Sequence, residues 1–78
     1  MDEKLKKQKI EMWTKKLGDL EEDFKRVMKE KGEAAQMGDL SENAAYKMAL
    51  EEADMLRARI DEVRKIITNL GGELPAQE

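Results

Sequence analysis

Apolar residues recur through the first half of the chain at Ile10, Trp13, Leu17, Leu20, Phe24 and Val27, in steps that alternate three and four. A second series, Ala49, Ala53, Leu56, Ile60, Val63, Ile67 and Leu70, keeps the same rhythm in the second half. Steps of three and four put side chains on one stripe of an α-helix, the a and d positions of a coiled-coil heptad. The two stripes mirror each other about residue 40. Ile10 matches Leu70, Trp13 matches Ile67, Leu17 matches Val63, Leu20 matches Ile60, Phe24 matches Leu56 and Val27 matches Ala53, and every match joins an a position to a d position. Layers of that kind form when a chain folds back antiparallel on itself. The pattern predicts an all-α fold, an antiparallel two-helix coiled-coil hairpin with an acidic tip. Helix one is expected over about residues 3–36, the tip over about 37–42 and helix two over about 42–70. Residues 1–75 then form one hairpin domain and residues 71–78 a frayed tail. The layers shrink toward the turn, where the mirror sets Lys31 opposite Ala49 and Ala34 opposite Tyr46, so the seam is expected to thin there.

The turn reads Met37-Gly38-Asp39-Leu40-Ser41-Glu42-Asn43. Gly38 suits a helix end that needs positive φ, and Ser41 or Asp39 suits the N-cap of helix two. Glu42 then falls in the first helical turn, where the macrodipole favours negative charge. Gly71-Gly72 followed by Pro75 is a helix stop. The same seam is compatible with two chains pairing as straight helices through residue 40, but Gly38 and the capping residues favour the hairpin. Gly18 and Gly32 interrupt helix one at a cost of about 1 kcal/mol each relative to Ala.

Composition agrees with long helices. Ala, Glu, Lys, Leu and Arg make up 43 of 78 residues, above the half that, with this period, marks a coiled coil. The 15 basic and 18 acidic side chains are interleaved, for a net charge of −3, which excludes a polybasic nucleic-acid arm or an acidic tail. The run Lys4-Leu5-Lys6-Lys7-Gln8-Lys9 has no interleaved aromatic residue and reads as a frayed, solvated end. Met12, Met28, Met37, Met48 and Met55 read as adaptable packing or partner-facing surface. Without Cys or His, any metal has only oxygen ligands. There is no apolar run of signal-peptide or membrane-span type, so the expected location is the cytoplasm and no membrane partner is expected. Six apolar layers make a thin core for a chain of this size, and marginal stability or weak self-association is expected.

Two carboxylates, Asp39 and Glu42, lie three residues apart at the tip, where the core does not need them. On the residues alone two readings stand: a cap with a dipole-complementing acid, or a pair sharing a divalent cation. Magnesium prefers oxygen ligands and is commonly held by one or two protein carboxylates, with water or phosphate completing the octahedron. Two acids are too few for a tight site, so a partner has to supply further ligands.

The run Gly38-Asp39-Leu40-Ser41-Glu42-Asn43-Ala44-Ala45-Tyr46 resembles the tip signature of the bacterial Gre transcript-cleavage factors, at the same place in a helical hairpin. Leu56-Arg57-Ala58-Arg59-Ile60 is similar to a further stretch of that family. The resemblance covers the family's N-terminal coiled-coil domain, and its C-terminal globular domain has no counterpart in these residues. It implies a transcription elongation factor, not itself an enzyme, that inserts its hairpin into the secondary channel of RNA polymerase and stimulates the polymerase's own cleavage of backtracked transcripts. It further implies that Asp39 and Glu42 help hold magnesium, in the complex with polymerase only, while Ser41 orients water or caps helix two. Leu40, Asn43, Tyr46, Lys47, Lys29 and Lys31 become possible contacts to polymerase or to the 3′ end of the nascent RNA, with a solvated helix face as the plain alternative for the lysines. Ala45 stands where many members carry an acid, and Leu50 where many carry a basic residue. Two other functions remain open: a stand-alone channel occupant that modulates polymerase without cleavage, and a plain coiled-coil assembly module.

Overall fold

A computed structural model describes residues 2–39 and 41–75. Two helices account for most of them: α1, Glu3–Ala35, and α2, Ala44–Asn69, packed against each other in antiparallel fashion. Among the described residues there is no strand. The hairpin is a rod with principal extents of 55 × 17 × 14 Å, its turn at one end and the start of α1 and end of α2 at the other.

The seam is the one the periodicity predicts. Leu17, Leu20, Ile60, Val63 and Ile67 form one buried cluster, flanked by the half-buried Trp13, Phe24 and Leu56. Val27, Ala49 and Ala53 form a second cluster nearer the turn, bridged to the first by the same Phe24 and Leu56. Burial reaches further toward the tip than the expected thinning allowed, because Ala34 and Ala49 are only 4% and 6% exposed. Small side chains let two helices approach closely, so burial persists where volume does not. At the open end Ile10 and Leu70 are half-buried.

Polar contacts pin the register along the flanks. Arg64 donates to Glu21 across the pair at 3.0 Å, and Arg26 lies 3.8 Å from Glu52. The Arg57 guanidinium sits over the Phe24 ring, 5.4 Å from its centroid. These groups are partly or largely solvated, so each contributes at most about 1 kcal/mol.

Caps define the ends. The Asp2 side chain accepts from Lys4 N–H at 3.3 Å, and the run Lys4–Lys9 is helical rather than frayed. At the far end of α2, Gly71 N–H donates to Thr68 O and Gly72 N–H to Ile67 O, the paired bonds of a Schellman motif, with Gly71 at φ +85°. A Cβ on Gly72 would stand 2.8 Å from the Ile10 side chain and 2.9 Å from that of Ile67. Gly72 thus closes the bottom of the core. The described part of the tail, residues 71–75, begins with this ordered stop, while residues 76–78 lie outside the described residues.

Candidate functional site: the acidic tip

The connection between the helices is longer at its second end than the sequence suggested. Gln36 caps α1, and Gly38 follows with φ +128°, a conformation that disfavours any side chain. Helix α2 starts at Ala44, two residues later than expected, and its N-cap is Asn43 rather than Ser41 or Asp39. Glu42 therefore precedes the helix instead of lying in its first turn.

Asp39 is occupied differently from a cap. Its Oδ1 accepts from the Ser41 backbone N–H at 3.0 Å and from the Ser41 hydroxyl at 2.8 Å. This closes a local turn in which an aspartate side chain bonds two residues ahead. The two bonds, the backbone one first, hold the Asp39 carboxyl below the ordinary aspartate value of 3.8, because both stabilise the ionised form. The Glu42 N–H in turn faces the Asp39 carbonyl at 3.4 Å. One short turn thus carries both acids, and both are exposed. Ser41 serves Asp39, not α2.

The remaining candidates fall into three groups. Asn43 and Tyr46 are half-buried at the base of the tip, where the Asn43 side chain bonds to both helix ends. Lys29 and Lys47 are exposed on α1 and α2, and Lys31 is half-buried at the narrow end of the seam. Leu40 lies outside the described residues. Sequence reasoning overlooked Asn43 as a cap, although Asn ranks with Asp and Ser at that position and directly precedes the helical run Ala44-Ala45-Tyr46.

Among the described residues no three acids converge on a possible metal site. The donor set at the tip, two exposed carboxylates with one oxygen already engaged by Ser41, suits magnesium only as a supplement to ligands from elsewhere. A shallow hollow lined by Glu3, Lys4, Lys6, Lys7, Ile10 and Gly71 lies at the opposite, open end of the rod. No helix among the described residues is long and apolar enough to cross a membrane.

Fold and site together define a two-helix rod that presents ionised acid at its free end. Over residues 3–70 the chain matches the family described as "Transcription elongation factor, N-terminal", the domain of GreA and GreB, and it belongs to that family. A curated relative, the transcription elongation factor GreA of Lachnoclostridium phytofermentans (strain ATCC 700394 / DSM 18823 / ISDg), is 47% identical over 45 residues, which are 58% of this chain and 28% of that protein. The matched stretch thus spans less than a third of the relative's length. No solved structure matches it.

Proposed function

We propose that this hairpin enters the secondary channel of RNA polymerase and stimulates the polymerase's intrinsic cleavage of backtracked transcripts, with Asp39 and Glu42 as the acting groups. The observation that carries this reading is the exposed turn at the end of a 55 Å rod, in which two bonds from Ser41 hold the Asp39 carboxylate. Family membership supports it. Asp39 and Glu42 would hold magnesium jointly with polymerase carboxylates, and bound magnesium supplies activation of water and charge stabilisation on phosphate oxygens. The chain's own part is to carry two carboxylates to that point on one exposed turn. Lys29, Lys31 and Lys47, set back from the tip, would meet phosphates of the RNA 3′ end, and the polymerase would remain the enzyme. A cytoplasmic setting fits this role.

Asp39→Asn and Glu42→Gln test the assignment, since each keeps shape and removes charge. Either change alone is expected to abolish stimulated cleavage while leaving affinity for polymerase and helical content unchanged. Excess magnesium should partly restore activity, because a weakened site refills by mass action. If the unmodified chain binds backtracked complexes without accelerating cleavage, and both variants behave identically to it, cleavage stimulation is rejected in favour of occupancy alone. Failure to bind polymerase at all rejects both.

A further inference from the structure

Asn43 stands between the end of α1 and the start of α2, and its side chain reaches both. Its Nδ2 donates to the Ala34 carbonyl at 2.6 Å, and its Oδ1 accepts from the Tyr46 N–H at 3.0 Å. A carbonyl only accepts and an N–H only donates, so these two partners fix which way the amide faces. Each partner belongs to a helix terminus, where the last carbonyls and the first N–H groups lack intrahelical partners. The Ala34 carbonyl also accepts from Met37 N–H at 3.0 Å, so the first residues of the tip hang from the same atom.

We propose that Asn43 is a positioning residue whose amide staples the last turn of α1 to the first turn of α2, holding the base of the tip in the shape that presents Asp39 and Glu42. The consequence for activity rests on the cleavage reading above, whereas the staple itself does not. The chemistry is specific to this side chain. Aspartate caps a helix equally well but has no donor for Ala34 when ionised. A serine hydroxyl caps too, yet it places donor and acceptor on a single short oxygen. Glutamine carries both groups but on a longer arm, outside the preferred N-cap set.

Asn43→Asp and Asn43→Ser therefore separate capping from stapling, and using both separates the lost donor from the added charge. Backbone order parameters of the 78-residue chain read the staple without any partner present. In the unmodified chain Gln36, Met37, Ser41 and Glu42 are expected near the rigid value of about 0.85, and in both variants below about 0.6, while Tyr46 and Lys47 stay rigid. Asn43→Ala, which removes the cap as well, should loosen Tyr46 too. Stimulated cleavage at saturating protein should fall roughly two- to tenfold in both stapling variants, the population factor of one net hydrogen bond. The half-saturating concentration should not move. Unchanged order at the four tip positions overturns the staple. A loosened tip with full cleavage overturns the positioning role, and so does lost cleavage with an unchanged tip, which makes Asn43 a partner contact. An unmodified chain with an ordered tip and no cleavage activity sinks the functional reading alone, since the order parameters still decide the staple.

Discussion

At the scale of single residues, the tip is a set of side chains answering backbone groups. Asp39 answers the Ser41 N–H and hydroxyl, and Asn43 answers the helix ends. The Asp39 carboxyl is held below its ordinary value of 3.8, so whatever the turn gains from ionisation is fully present above that value and disappears as pH falls through the lowered one. Ser41→Ala removes the hydroxyl bond and keeps the backbone one. The Asp39 carboxyl should then titrate closer to the ordinary value without reaching it, which carbon-detected NMR titration of the side chain measures directly. An unmoved titration curve would show that the hydroxyl contributes nothing. The local chemistry was only partly legible in the sequence. Asp39, Ser41, Glu42 and Asn43 are all cap-forming or turn-forming types packed into five positions, and propensity alone does not say which oxygen meets which N–H. The Asn43 amide bonds to a carbonyl nine residues upstream, that of Ala34, and no local pattern reveals that partner.

Helices are where the sequence was most informative. Steps of three and four fixed both stripes, and the buried residues Leu17, Leu20, Val27, Ala53, Ile60, Val63 and Ile67 all come from them. Ala49 also lies on the second stripe, but spacing did not reveal Ala34 as core, since alanine is at home on either face of a helix and only the close approach of the partner buries it. The glycines divide by the same logic. Around Gly18 and Gly32 a Cβ would meet nothing within 4 Å, whereas at Gly72 it would meet Ile10 and Ile67 below 3.0 Å. Gly18→Ala and Gly32→Ala should each stabilise the hairpin by about 0.5–1 kcal/mol. Gly72→Ala should destabilise it by roughly 1–3 kcal/mol, as overpacking does. Urea titrations followed by helical circular dichroism give both signs, and equal shifts at all three sites would contradict the packing at the base.

For the whole molecule, length and taper matter more than any one contact. The rod is 55 Å long, with its bulkiest layers, around Trp13 and Ile67, at the open end and its smallest, around Ala49 and Ala34, next to the tip. A photo-crosslinker at Met37, which is 75% exposed, should label polymerase near its catalytic centre. One at Lys7 should label only the outer surface, and the reverse pattern would disprove tip-first entry. The cross-section carries its own consequence. Two helices side by side, each about 10–12 Å across with side chains, make a rod about 20–24 Å wide, with a depth of at least 14 Å. A passage that just admits one such rod has no room for a second. On the proposed tip-first entry, any protein reaching the same interior through the same opening would therefore compete with this one by bulk alone. Asp39→Asn and Glu42→Gln, silent in cleavage, should still displace such a competitor as well as the unmodified chain does.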